Sequence, residues 1–218
     1  MLVKLWLFSH RCPLCDRRAS TYLCAGCGSA IEQCRRPQSP VEICASVRVH
    51  AWGSYTGALR RALEVLKYGQ RPELGDWLGE RLGRWWLNQD KPPHDFQVVA
   101  VPLHPSRQAQ RGYNQADRIA RAFCKRTGFI YRPHGLRRIV ATPALHGLDP
   151  ERRARELEQA FAVGAAPAAR PVLLVDDICT TGSTLARCAA ALVKAGSGAV
   201  QAAVVARPAL DRKPRANA

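Results

Sequence analysis

Val172-Leu173-Leu174-Val175-Asp176-Asp177-Ile178-Cys179-Thr180-Thr181-Gly182-Ser183-Thr184-Leu185 is the stretch on which the reading of this chain turns. Pro171 to Val175 ends in an unbroken apolar run, as expected of a strand buried on both faces of a parallel sheet. A helix follows, because Leu185, Cys188, Ala189, Leu192 and Val193 fall on one helical face. Between the two lie paired carboxylates, then four hydroxyl side chains around one glycine. At a strand end, Asp176 and Asp177 can accept hydrogen bonds from vicinal hydroxyls. The backbone N–H groups and the hydroxyls of Thr180, Thr181, Ser183 and Thr184, set at a helix N-terminus, favour a phosphate dianion. Gly182 lets the backbone approach that phosphate closely. The ligand so described is a sugar diol beside a phosphate, a ribose 5-phosphate. The plainer alternative is that the acids open a loop and the hydroxyls cap the helix, although one capping residue would be enough for that.

Outward from this stretch, β-type runs alternate with helical patterns. Ser46 to Ala51, Val98 to Val101 and Val200 to Ala206 read as strands. Leu74, Trp77, Leu78, Leu82, Trp85 and Trp86 share one helical face, as do Ala116, Ile119, Ala120 and Phe123. Such alternation predicts a doubly wound α/β sheet, open and mostly parallel with helices on both faces, whose ligands bind beyond the carboxyl ends of the strands. After Val101, the segment Leu103 to Gln110 carries His104 and Arg107, with Arg111 and Gly112 just beyond and a helix expected from about Tyr113. An Arg offers a fixed fork of donors suited to phosphate oxygens, although a basic run can equally be a solvated loop. His104 reads equally well as a satisfied loop histidine. Lys67 closes the helical run Leu59 to Leu66, where it can reach a phosphate or simply favour the helix C-terminus.

The first forty residues differ. Cys12-x2-Cys15 and Cys24-x2-Cys27 form two chelating pairs, and four thiolates complete a closed tetrahedral zinc site of the structural kind. A redox dithiol pair or a chance spacing are the alternatives. Cys34 and Cys44 are spare candidates for a ligand position, and Cys124, Cys179 and Cys188 read as free thiols. So short a segment has little core of its own, so metal should supply most of its folding free energy. The expected division is a zinc-binding segment over 1–44, an α/β domain over 45–211 and a basic, frayed tail over 212–218. Arg35 to Pro40 is the linker region, with a boundary near Ala45.

With 218 residues and 47% hydrophobic content the chain can bury a normal core, so disorder is not the default reading. A formal net charge of +16 and a pI near 10.1 imply attraction to polyanions: nucleic acid, acidic membranes or phosphorylated small molecules. There is no apolar run of about 18 residues and no signal-peptide core, so a cytoplasmic protein without membrane insertion is expected.

Val172 to Leu185 resembles the phosphoribosyl-pyrophosphate motif of type I phosphoribosyltransferases, and the wider pattern resembles the competence protein F (ComF, GntX-like) family. The wider match rests on the Cys-x-x-Cys pairs, Leu66-Lys67-Tyr68-Gly69, Val101-Pro102-Leu103-His104-Pro105 leading to Arg111-Gly112-Tyr113-Asn114-Gln115, and Ala160-Phe161. The resemblance implies a type I phosphoribosyltransferase fold binding 5-phosphoribosyl-1-pyrophosphate with magnesium. It assigns the ribose 5-phosphate to Asp176, Asp177, Thr180, Thr181, Gly182, Ser183 and Thr184, and the pyrophosphate to Lys67, His104, Arg107 and Arg111. Asp177 becomes the candidate catalytic carboxylate, and Val140 to Glu151 a lid. The chain departs from the family at His146, where a Gln is usual, and at Glu156 or Leu157, where an Asn is usual. By association the resemblance also implies DNA uptake, with single-stranded DNA and a DNA-uptake helicase or other competence proteins as partners. Three readings stay open: a phosphoribosyltransferase of unknown acceptor, a single-stranded-DNA-binding protein, and a non-catalytic adaptor. For DNA, Arg60, Arg61, Arg118, Arg121, Arg152, Arg153 and Arg155 would track phosphates. Trp77, Trp85 or Trp86 would be available for stacking, although their helical spacing favours core packing.

Overall fold

The computed structural model describes residues 10–36, 41–43, 47–89, 95–139, 160–164 and 169–208. Along the chain come β1 (His10–Arg11), β2 (Arg18–Ala19), α1 (Ala25–Glu32), β3 (Val41–Ile43), β4 (Val47–Ser54), α2 (Gly57–Tyr68) and α3 (Glu73–Leu87). Then follow β5 (Gln97–Ala100), α4 (Pro105–Arg111), α5 (Gln115–Thr127), β6 (Ile130–Tyr131), β7 (Leu136–Arg138), β8 (Phe161–Val163), β9 (Val172–Ile178), α6 (Ser183–Lys194) and β10 (Val200–Arg207). The main sheet has the order β3-β4-β10-β9-β5-β6. All its pairings are parallel except that of the edge strand β3, so the expected open, mostly parallel sheet is present.

Its central strands are apolar because both faces are covered: Val172 to Val175 and Ala202 to Ala206 are buried. The chain leaves β9 through α6 to β10 on one side, and leaves β5 through α5 to β6 on the other. The crossover direction therefore reverses between β9 and β5, which opens a crevice where the loops after Ile178 and Ala100 diverge. On one face α3 and α5 pack together closely. A Cβ at Gly79 of α3 would stand 2.3 Å from the Ile119 carbonyl oxygen, and one at Gly83 2.8 Å from the Arg126 Cβ.

Several expectations are corrected. β9 runs three residues past Val175, so Asp176 and Asp177 belong to the strand and leave opposite faces of the sheet. The segment read as a loop from Leu103 to Gln110 is largely the helix α4, opened by Pro105 at its first turn, and α5 starts at Gln115, two residues later than expected. Trp86 is fully buried among His50, Phe96, Phe123 and Phe129, and Trp85 is buried too, so neither offers a face to a base. Trp77 is half-buried, with the Arg81 guanidinium 3.4 Å over its ring. Arg35 and Arg36, read as the start of a linker, are tied to β4: Arg35 bridges Gly53, and the Arg36 N–H donates to the Trp52 carbonyl at 2.9 Å.

The cysteine-rich segment docks on the main body. Ile31 of α1, Leu14 and Leu23 are buried in the same core as the sheet, and Glu32 meets Arg81 of α3 at 3.1 Å. The remainder of the linker, the boundary at Ala45, the lid from Val140 to Glu151, with the departures at His146, Glu156 and Leu157, and the tail over 212–218 lie outside the described residues. No described helix is long and apolar enough to cross a membrane.

Candidate phosphate site and cysteine cluster

The β9–α6 loop is built to present backbone donors. Gly182 adopts φ +79°, a left-handed conformation that a side chain would strain, and so turns the chain directly into α6. Thr181 Oγ1 accepts from the Ser183 N–H at 3.3 Å and donates to Ser183 Oγ at 3.1 Å, which orders the turn. Cys179 is buried, and its N–H is spent on the Ala206 carbonyl of β10 at 3.0 Å. By contrast, the N–H groups of Thr180, Thr181, Gly182, Thr184 and Leu185 meet no acceptor among the described residues. Thr180, Thr181 and Ser183 are exposed, so the loop is open to solvent and not plugged by its own side chains. Open N–H groups at the positive end of a twelve-residue helix are suited to an oxyanion.

The two carboxylates have different surroundings. Asp177 is buried; its Oδ2 lies 2.7 Å from Lys67 Nζ and its Oδ1 accepts from Gln115 Nε2 at 3.3 Å. The Lys67 contact is a close charge pair rather than an aligned hydrogen bond. Asp176 Oδ1 accepts from the Asp177 N–H at 2.8 Å. Burial, followed by the adjoining Asp177 carboxylate, pushes Asp176 well above the usual carboxylate range. Among the described residues no cation forms an ion pair with half-buried Asp176, which suits a ligand that brings hydroxyl donors or a divalent cation.

Lys67, the partner of Asp177, also lines a polar cleft of about 380 Å³ together with Tyr68, Gln70, Arg107, Gln110 and Arg111. Three of the four residues expected around a pyrophosphate therefore share one cleft, although forty or more positions of sequence separate Lys67 from the two arginines. His104 does not line it. Instead His104 caps α4, its Nδ1 accepting from the Ser106 N–H at 3.3 Å and pairing with Ser106 Oγ at 2.7 Å. Arg111 donates to Gln115 Oε1 and lies over the Tyr68 ring, 5.6 Å from its centroid.

Sequence reasoning missed Gln115 as a connector. Its amide joins Arg111 to Asp177 and so couples the cleft to the end of β9. A glutamine that opens a helix carries no signal of its own, and only the topology that sets α5 against β9 reveals it. Asn114 caps α5 and ties the loop to β5, accepting from the Ala116 N–H and donating to the Val101 carbonyl, both at 3.0 Å.

The four cysteine sulfurs of Cys12, Cys15, Cys24 and Cys27 all lie within 4.8 Å of one another, with Cys15 and Cys24 3.5 Å apart. A tetrahedral zinc with Zn–S near 2.3 Å sets its sulfurs about 3.8 Å apart, so the cluster is consistent with zinc. Arg17, donating to Cys15 Sγ at 3.4 Å, holds that thiol down at about 6. Burial and the crowding sulfurs push Cys27 up to about 12, a penalty that a bound cation would relieve. Cys34 stands outside the cluster, donating to the Ala30 and Thr56 carbonyls. Cys44 is outside the described residues, and Cys124, Cys179 and Cys188 are buried thiols that form no disulfide.

No protein-family model matches the chain. Over 200 residues, 87% of either chain, it is 29% identical to the DNA utilization protein YhgH of Salmonella typhi. Over 113 residues, 50% of this chain and 49% of the relative, it is 34% identical to Competence protein F of Haemophilus influenzae. Among solved structures, the glutamine phosphoribosylpyrophosphate amidotransferase from B. subtilis, complexed with ADP and GMP, superposes on 60% of this chain at 20% identity and TM-score 0.41. The present chain covers 25% of that much longer one.

Proposed function

We propose that this chain, a member of the YhgH/ComF family of DNA-utilization and competence proteins, binds 5-phosphoribosyl-1-pyrophosphate with magnesium across the carboxyl ends of β9 and β5. The observation that carries this reading is the position of Lys67. It lines the arginine cleft and at the same time pairs with Asp177 near the end of β9, which supports reading the cleft and the β9–α6 loop as parts of one site.

In this reading the 5-phosphate sits on the open N–H groups of the β9–α6 loop, with the hydroxyls of Thr180, Thr181, Ser183 and Thr184 around it and Gly182 clearing the approach. Asp176 takes the ribose hydroxyls. Asp177 acts by holding Lys67, and Lys67, Arg107 and Arg111 receive the pyrophosphate, with His104 ordering the start of α4 beside it. Asp176 is also the carboxylate placed to help hold magnesium, which when bound neutralises charge on the pyrophosphate. Displacement at the anomeric carbon then has oxocarbenium character, as in glycoside cleavage. Catalysis comes from the cations, Lys67, Arg107 and Arg111 with magnesium, stabilising the pyrophosphate as it leaves.

A second reading is a single-stranded-DNA-binding adaptor that keeps the fold without chemistry. The formal charge of +16 favours it. Arg60, Arg118 and Arg121 are each paired with an acid, however, leaving Arg61 as the unpaired arginine of that set among the described residues. The experiment is incubation of the protein with labelled phosphoribosyl pyrophosphate, magnesium and a panel of nucleobases, nucleotides and single-stranded DNA, following pyrophosphate release. Release with one acceptor class supports the enzyme. Calorimetry that finds no affinity for phosphoribosyl pyrophosphate, with DNA binding that falls by orders of magnitude between 50 and 200 mM salt, as about 10³–10⁵ is general for several phosphate contacts, replaces it with the adaptor.

A further inference from the structure

Arg207 ends β10 with 6% of its surface exposed, and its Nη1 is buried without a hydrogen-bond partner. Among the described residues no carboxylate pairs with it. An arginine keeps its charge even when buried, and a buried cation without a counter-charge weakens a fold strongly. Among the described residues Arg207 has no such counter-charge, and an oxyanion on a bound ligand would supply one.

Its location is specific. Arg207 pairs in register with Ser54, and its carbonyl accepts from the Tyr55 N–H at 2.8 Å, directly before α2. Because Val204 faces Asp176 and Ala206 faces Ile178, strand alternation puts Arg207 on the face that carries Asp177, level with Cys179 at the carboxyl edge. The start of α2 beside it is equally unspent: Thr56 provides no side-chain cap, the first turn holds no acid, and the Gly57, Ala58 and Leu59 N–H groups meet no acceptor among the described residues.

We infer that Arg207 is a ligand-binding residue that receives an oxyanion, phosphate or carboxylate, of the second molecule entering the site. The inference rests on the reading of a phosphoribosyl pyrophosphate site at this edge. In that reading the monophosphate and the pyrophosphate are already received on and beyond β9, toward β5. Arg207 stands on β10, on the other side of β9, so the group it meets belongs to the acceptor. The acceptor is therefore an anionic molecule: a nucleotide or nucleic-acid phosphate, or a heterocyclic carboxylate.

The test compares wild type with Arg207→Met and Arg207→Lys. Melting is followed without ligand, and calorimetry uses phosphoribosyl pyrophosphate with magnesium, thymidine 5′-monophosphate, pyridine carboxylate, and their uncharged parents thymidine and pyridine. Arg207→Met is expected to melt at or above the wild-type midpoint and to bind phosphoribosyl pyrophosphate as wild type does. It should lose about tenfold or more in affinity for one of the two anions, with Arg207→Lys intermediate and the uncharged parents unaffected. Which anion responds tells the phosphate source from the carboxylate source. A lowered midpoint for Arg207→Met assigns Arg207 to the fold and overturns the inference, as does equal binding of both anions by wild type and variant, or binding of neither. Failure of the underlying reading looks different: wild type itself would not bind phosphoribosyl pyrophosphate.

Discussion

Replacing Lys67 with methionine keeps the aliphatic stem and deletes the cation that faces Asp177 Oδ2 at 2.7 Å, where the side chains are 21% and 5% exposed. Removing one partner of a buried pair costs about 3–5 kcal/mol because the other charge stays behind unpaired. Here the residual exposure of Lys67 and the Gln115 donor soften the loss, to about 2–3 kcal/mol. For a chain of this size each kcal/mol moves the melting midpoint by about 2–4 °C, so the variant should melt about 5–10 °C lower. Urea unfolding of wild type, Lys67→Met, Asp177→Asn and the double variant completes a cycle. The double variant should recover at least half of the Lys67→Met loss, since neutralising Asp177 removes the orphaned charge. If the two single effects instead add to within about 0.5 kcal/mol, Lys67 and Asp177 are not coupled and the link between cleft and loop is refuted.

Three further outcomes are expected. Asp176, raised by burial and by Asp177, binds its proton more tightly folded than unfolded; its contribution is full below the unfolded value near 3.8 and is lost as pH rises through the folded value. Asp176→Asn should therefore gain stability relative to wild type on going from pH 4 to pH 8 in urea melts, and a pH-independent difference would contradict this. Gly79→Ala should cost about 1–3 kcal/mol despite alanine's better helix propensity, since the new Cβ meets the Ile119 carbonyl of α5; an unchanged or raised midpoint would show that α3 and α5 are not so closely packed. Chelation of zinc should remove amide protection from residues 12–34 while β9 and β10 stay protected, as followed by hydrogen exchange; unchanged N-terminal protection would show that the cysteines hold no structural metal.

What could be read from the sequence was what local chemistry determines. The apolar run at Val172, the helical face from Leu185 and the paired Cys-x-x-Cys motifs each carry their period or spacing within a few residues, and the strand, helix and cluster were found where expected. The end of β9 was misjudged because two aspartates break an apolar pattern, while parallel pairing with β10 carries the strand on through Ile178. α4 was hidden because a short, polar, arginine-bearing segment after Pro105 has no apolar face to show. At the site, the loop's composition was visible, but the partners were not. Lys67 beside Asp177, Gln115 between Arg111 and Asp177, and Arg207 at the far strand end are juxtapositions that only the strand order creates.

Titration of amide-labelled protein with phosphoribosyl pyrophosphate and magnesium, observing the backbone resonances, addresses the phosphate site most directly. Saturable shifts should be largest for the N–H groups of Thr181, Gly182, Thr184 and Leu185, accompanied by the Arg107 and Arg111 side chains. Shifts confined to other surfaces, with these amides unmoved at saturation, would contradict a ribose phosphate held at the start of α6.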